Sequence, residues 1–296
     1  MDAAQDHPIA YGPGIDWATL KPEIEIPELR LAIVDDSAWP YSLHRAQPRV
    51  SVVVPTLNEA ENLPHVLPRI DPRHEVIVVD GGSSDDTVAT ALRLRPDARI
   101  VHQQRRGKGE ALICGWNAAT GDIIVTLDAD GSARPEEIQA FVDALCAGAD
   151  YAKGSRYMYG GGSTDLTWLR NLGNRFLGTT VNVLFRTRYS DLCYGYNAFW
   201  RRCSGALACD VDGFEIETLM NIRAARAGLN VVEVPSNEED RLHGSSNLRP
   251  FRDGLRILRL IVRERLRRRP KEEPPEPPAA LQRPRVPHDT LAIRAA

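Results

Sequence analysis

No apolar run in this sequence approaches the ~18–20 residues that a membrane-spanning helix requires. Contact with a bilayer is therefore expected only from the surface. The five cysteines (114, 146, 193, 203, 209) show no C-x-x-C pair and no metal-ligand spacing. This sets aside a cysteine-built metal centre. The first residues carry no secretory leader pattern, which predicts reduced thiols and a cytoplasmic setting. No internal repeat is visible, and neither charge sign dominates: 37 basic residues stand against 40 acidic ones, a net charge of −3. That balance conceals an asymmetry. Residues 251–269 hold eight Arg against Asp253 and Glu264, residues 270–296 are neutral, and the first 250 residues carry −9. An acidic body with one basic segment predicts no nucleic-acid binding and one localised basic contact surface. What is present is an apolar fraction of 43%, enough for a full core.

Residues 1–48 have scattered Pro and no sustained period, and read as an extension. Val50–Val54 is a β-branched strand stopped by Pro55. A helix is predicted from Glu59 to about Ile70, a strand over Glu75–Asp80, a helix from Asp86 to about Arg95, and a short strand over Arg99–His102. Residues 108–119 read as a helix of small residues, and Ile123–Leu127 as a buried strand. This alternation predicts an α/β fold with a Rossmann-like, mostly parallel central sheet flanked by helices. Right-handed crossovers bring the carboxyl ends of such strands to one edge, where α/β proteins place ligands. Further on, helices are predicted over 166–185 and 215–227, with a strand over Val231–Pro235. Phe251 to Arg269 reads as a basic amphipathic helix, its stripe made by Leu255, Leu258, Val262 and Leu266 and widened by Ile257 and Ile261. The last 27 residues contain seven Pro and read as a disordered tail.

Three strand ends carry polar signatures: Pro55-Thr56-Leu57-Asn58-Glu59, Asp80-Gly81-Gly82-Ser83 and Asp128-Ala129-Asp130. Two carboxylates at i and i+2 on extended backbone point the same way. A hard divalent cation suits such oxygens and would bridge to substrate phosphates. A capping Asp beside a solvated one is the plainer alternative.

The ordered set formed by these motifs with Gly107-Lys108-Gly109, Gly154-Ser155-Arg156-Tyr157, the Asp191–Phe199 segment and Arg241-Leu242-His243-Gly244-Ser245-Ser246 resembles the family 2 glycosyltransferases. The nearest subgroup is the dolichyl- and polyprenyl-phosphate sugar synthases. The resemblance covers about residues 50–250 and implies a GT-A domain over 49–250. It implies a GDP- or UDP-linked hexose donor and a Mg2+ or Mn2+ cofactor. Pro55, Asn58, Glu59 and Asp80 would hold the nucleoside, and Lys108 would face the diphosphate from between two glycines. Asp128 and Asp130 would be the metal pair, with Asp130 the direct ligand. Ser155, Arg156 and Arg170 would bind the phosphate of a lipid acceptor, Arg being apt for bidentate contact. Arg241 and His243 lie in a segment that folds over the diphosphate in relatives. A hydroxyl acceptor would need a general base, for which Asp191 and Glu217 are candidates; an anionic phosphate would not. Peripheral attachment at the cytoplasmic face of a membrane follows if the basic helix lies in the interface, and the same stripe could instead dock on the domain. A soluble hydroxyl acceptor and a non-catalytic nucleotide-binding scaffold are the alternatives. Three positions depart from the subgroup: Gly81 where a base-reading Asp is common, Ser132 where a Gln ligand is common, and Asn247 where Lys is common.

Overall fold

A computed structural model describes residues 47–207, 209–244 and 249–267 of the chain. The extension expected over 1–48 (apart from its last two residues), the tail over 270–296, and Ser245, Ser246 and Asn247 lie outside the described residues. The first half alternates as the pattern predicts: β1 (Val50–Thr56), α1 (Leu63–Val66), β2 (Glu75–Asp80), α2 (Thr87–Leu94), β3 (Arg99–His102), α3 (Lys108–Ala118) and β4 (Ile123–Thr126). The second half adds α4 (Ile138–Cys146), β5 (Tyr151–Ser155), β6 (Gly162–Ser163), α5 (Trp168–Phe185), β7 (Asn197–Trp200), α6 (Ser204–Leu207), α7 (Ile216–Arg226), β8 (Val231–Pro235), β9 (Asn237–Glu238) and α8 (Pro250–Leu266).

Seven strands form one sheet in the order β3-β2-β1-β4-β7-β5-β8. β1 to β4 run parallel, with Thr56 paired to Asp80 and Asp80 to His102. β7 runs antiparallel to both neighbours, which makes the sheet mostly rather than wholly parallel. β1 and β2 are buried on both faces, and their Val and Ile runs are accordingly continuous rather than alternating. The helix expected over Glu59–Ile70 is instead one turn of α-helix followed by a 3-10 turn, Leu67–Arg69. Pro68 lacks an N–H and its ring crowds the preceding carbonyl, so the α-helical bonding cannot continue through it.

A second apolar cluster joins α5, α7 and α8 through Leu177, Val181, Leu192, Ile222, Ile257 and Ile261. α8 therefore docks on the body, and it does so through Ile257, Leu260 and Ile261. Leu255, Val262 and Leu266 from the expected stripe face outward instead. The helix has apolar side chains around more of its circumference than one interface can cover. No helix among the described residues is long and apolar enough to cross a membrane.

Candidate active site

The parallel strands deliver their three polar ends to one edge. At the end of β2, Asp80 accepts from the backbone N–H groups of Gly82 (3.1 Å) and Ser83 (3.2 Å), and His102 Nδ1 lies 3.4 Å away. Burial works to raise its pKa, but the Ser83 hydroxyl and these N–H groups outweigh it and hold the carboxyl below its ordinary value. Beyond β1, Asn58 has a left-handed backbone, φ 58°. Its Oδ1 accepts from Ser84 N at 2.8 Å, and its own N–H donates to Ser83 Oγ at 2.9 Å. Asn58 thus ties the β1 and β2 loops together. Pro55, half-buried, pairs in register with Val79 on β2.

Glu59 is buried, and that burial pushes its pKa up. It accepts from Asn62 Nδ2 and from Arg241 Nη1 (3.1 Å), so its carboxylate faces a guanidinium from the loop after β9. His243 reaches the same corner through its backbone: its N–H donates to Asn62 Oδ1 at 3.0 Å, while its ring lies 5.9 Å from that of His65. Asn62 was not legible as a site residue; the one available signal is its place one helical turn after Glu59, the spacing at which side chains meet.

Past β4, the two Asp separate in role. Asp128 faces Lys108 Nζ at 2.8 Å, and the same ammonium lies 2.8 Å from Glu217 Oε1 on α7. Desolvation opposes the charge on Lys108, but the two carboxylates outweigh it and keep the amine protonated, with its pKa above the ordinary lysine value. Burial pushes Glu217 up in turn, against the pull of Lys108. A Cβ on Gly195 would lie 2.8 Å from Lys108 Nζ and 3.0 Å from Asp128 Oδ2, so the bare backbone there leaves room for this triangle. Asp130 accepts from Ser132 Oγ (2.7 Å) and Ser132 N (3.1 Å), and Arg241 Nη2 lies 3.3 Å from its other oxygen. Ser132, where the subgroup commonly has a Gln ligand, holds Asp130 in place.

The glycines around Lys108 leave room for the chain itself. Side chains at Gly107 or Gly109 would collide with the carbonyls of Asp212 and Val211, and Gly109 N donates to Asp212 O at 2.8 Å. The close approach is to the chain's own 211–212 segment. That contact anchors the start of α3 and with it Lys108.

The residues expected to bind an acceptor phosphate are mostly engaged with the protein. Asp191, fully buried, accepts from Arg156 N (3.2 Å), Nε (2.7 Å) and Nη2 (3.0 Å) and from Asn174 Nδ2 (2.9 Å). Arg156 Nη1 donates to Glu238 at 2.9 Å, and the guanidinium lies over the Tyr194 ring. Each nitrogen of the Arg156 fork donates to a carboxylate, Nε and Nη2 to Asp191 in the geometry of a bidentate pair. Arg156 also borders the space between α5 and α8, while the Asp191 oxygens are already taken up by these donors. Ser155 is buried with its Oγ 2.6 Å from Ser190 Oγ. Arg170 is half-buried and bonded through Nη1 to Asp165 (2.6 Å).

Beside Lys108 and Glu217 opens a groove of about 570 Å3 between α5 and α8. Leu169, Leu172, Phe176, Phe251 and Ile257 are among its apolar walls, and Lys108, Glu217, Phe214 and Arg170 also line it. The Lys108 ammonium sits 5.9 Å from the Phe214 ring, within cation–π range.

Among the described residues no group of three or more His, Cys, Asp or Glu side chains could hold a metal ion alone. Asp128 and Asp130 nevertheless suit a shared divalent cation. Their oxygens are hard donors, both are partly exposed, and each faces a protein cation. The remaining ligands would come from substrate or water.

Residues 51–205 match the family described as glycosyl transferase family 2. The polyprenol monophosphomannose synthase of Mycolicibacterium smegmatis is 35% identical over 218 residues, covering 69% of this chain and 82% of that protein. The undecaprenyl-phosphate mannosyltransferase of Micrococcus luteus is 32% identical, covering 68% of this chain and 87% of its own length. Among solved structures, glucosyl-3-phosphoglycerate synthase from Mycobacterium tuberculosis, in complex with Mn2+, UDP-glucose and phosphoglyceric acid, superposes with a TM-score of 0.59 at 25% identity over 74% of this chain and 80% of that one. A sheet that gathers Asp80, Asp128 and Asp130 at one edge, on a sequence matched from the first strand into the second half, is the architecture of a glycosyltransferase, and the chain belongs to glycosyl transferase family 2.

Proposed function

We propose that the enzyme transfers a hexosyl group, mannosyl by analogy with its named relatives, from a nucleotide sugar to the phosphate of a polyprenyl lipid. The observation that carries this reading is the α5–α8 groove, whose apolar walls run to Arg170 and to Lys108, the partner of Asp128. Such a space fits a molecule with an anionic head and a hydrocarbon body. Asp80, with the Asn58 loop beside it, is the ribose-side contact of the donor. Lys108 supplies fixed positive charge between the donor diphosphate and the groove. Asp128 and Asp130 would hold Mg2+ or Mn2+, which when bound supplies Lewis-acid stabilisation of a departing nucleoside diphosphate. An oxygen of the acceptor phosphate forms the bond to the anomeric carbon from the face opposite the leaving group as the bond to the diphosphate breaks, so configuration inverts. A phosphate nucleophile needs no proton removed, which agrees with Asp191 being saturated by Arg156 and Asn174.

Peripheral membrane contact is part of the same proposal. Trp168 (76% exposed), Leu172 and Phe176 on α5 and Phe251 (83% exposed), Leu255 and Leu266 on α8 leave apolar side chains in solvent. The two helices pack together, with Arg252, Arg256, Arg259 and Arg263 exposed along α8. Apolar groups flanked by Arg suit an anionic bilayer surface, where each basic residue contributes about 1 kcal/mol.

The test is a panel of labelled nucleotide sugars with Mn2+ or Mg2+, with and without polyprenyl phosphate, followed by organic extraction. Lipid-dependent label in the organic phase is expected. Label only on a water-soluble acceptor would overturn the lipid assignment, and no transfer with any donor would point to a nucleotide-binding scaffold.

A further inference from the structure

Arg241 occupies the position in which a divalent cation would compete with it. Its Nη2 lies 3.3 Å from Asp130 Oδ2 and its Nη1 3.1 Å from Glu59 Oε1. The loop that carries it is latched at three further points. His243 N donates to Asn62 Oδ1 (3.0 Å), Asn62 Nδ2 donates back to His243 O (3.2 Å), and Leu242 N reaches Asp130 O (3.4 Å). Leu242 also covers the turn after Asp130: a Cβ on Gly131, where φ is +80°, would lie 2.8 Å from Leu242 Cδ1. Asn62 therefore reads one backbone unit of the loop from both sides while its amide also donates to Glu59, the carboxylate that shares Arg241 with Asp130.

We infer that Arg241 is an exchangeable internal counter-ion of Asp130, held there by an Asn62–Glu59 catch, and that cation and nucleotide diphosphate load together. The inference rests on Asp130 being a cation ligand. A divalent cation arriving alone must displace a guanidinium that keeps only Glu59 in compensation. A cation arriving with a diphosphate brings a second anion to which Arg241 can transfer. The two ligands are thereby coupled, and by linkage each tightens the other. Asn62 is a positioning residue: it touches neither ligand and acts by fixing the loop on which Arg241 sits.

The experiment titrates the protein with Mn2+ alone, and with UDP or GDP present, following free Mn2+ by electron paramagnetic resonance and correcting for Mn2+ held by free nucleotide. Arg241→Gln is expected to bind Mn2+ alone about tenfold more tightly than the wild type, within the usual range of coupling energies, and to gain less from nucleotide. Asn62→Ala should move in the same direction by a smaller factor, and Arg241→Lys should stay near the wild type because it restores the competing charge. Thermal melts of each variant verify folding. Equal Mn2+ affinity in the wild type, Arg241→Gln and Asn62→Ala overturns the exchange. Asp130→Asn distinguishes the underlying assignment: if it binds Mn2+ as the wild type does, the cation reading itself fails; if it loses Mn2+ while Arg241→Gln changes nothing, only the exchange fails.

Discussion

Replacing Asp191 by Ala is expected to destabilise the protein by about 3–5 kcal/mol, the usual cost of stranding one member of a buried ion pair. The geometry sets that range. Asp191 takes three bonds from Arg156 and one from Asn174, and Ala would leave the buried Arg156 Nε and Nη2 donors without their acceptor, with only Nη1 still paired to Glu238. Asp191→Asn keeps one carbonyl acceptor but turns an amide toward the guanidinium, at a cost of about 1–3 kcal/mol. At roughly 2–4 °C per kcal/mol for a domain of this size, the Ala variant should melt on the order of 10 °C lower. Circular dichroism melts and urea titration measure both variants. The pH dependence has a fixed sign. Burial would raise the Asp191 carboxyl, but Arg156 outweighs it and holds it below its ordinary 3.8. Its folded pKa lies below its unfolded one, so its contribution is full above about pH 4 and is lost as pH falls through the folded value. The gap in midpoint between wild type and Ala variant should therefore narrow on acidification. Turnover of the Asn variant, assayed below its transition, should stay within about tenfold of wild type. Loss of a general base would cost about 10²–10⁴. An Asn variant with a wild-type midpoint and turnover reduced by that factor would refute the structural role given to Asp191.

Lys108→Met leaves Asp128 and Glu217 without their shared cation, and hexosyl transfer should fall by about 10² or more in a single-turnover assay, in the range seen when one positioned charge donor is lost. Gly195→Ala forces a methyl into the Lys108–Asp128–Glu217 triangle and should lower turnover while moving the melting midpoint little; unchanged turnover would mean the triangle is not part of the site. Phe176→Asp, on the groove wall, should raise the KM for polyprenyl phosphate about tenfold, the scale of one lost apolar contact, with nucleotide binding by calorimetry unaltered. Ile261→Ala, at the docked face of α8, should destabilise the fold by about 2–5 kcal/mol in urea titration, a change that a helix lying free of the body would not show.

What could be read from the sequence was local. The β1 to β4 alternation and the polar ends at Asn58, Asp80 and Asp128 are written in runs of a few residues, whose chemistry sets strand, turn and cap without help from afar. The direction of β7 was not legible, because a strand of four residues carries no signal for which way it runs; that is decided by its pairing with Thr126 and Tyr151. The partners of the charged residues were equally out of reach. Arg156 finds Asp191 across 35 positions and Arg241 finds Glu59 across 182, so residue type identified these side chains as important while only the fold shows what they hold. The glycines beside Lys108 show the same limit. Their smallness was legible, but what fills the space, the Asp212 carbonyl, was not. In α8 the expected stripe was only half docked: Ile257 and Ile261, with Leu258 packed beside them, meet the body, whereas Leu255, Val262 and Leu266 do not.

The walls of the α5–α8 groove differ in freedom. On the α5 side, Asn174 is buried and bonded to Asp191 and to the backbone of Leu192 and Cys193, which pins the middle of that helix to the loop beneath it. The outer wall is made of Leu172, Phe176 and Phe251, all open to solvent. An acceptor seated there meets a gauge of fixed width at the head and no boundary at the tail. With about 570 Å3 available, only the units nearest the phosphate are measured. With the proposed lipid-phosphate acceptor, the enzyme should accordingly be tolerant of chain length, accepting short water-dispersible prenyl phosphates alongside full-length ones, and selective instead for the shape of the first units.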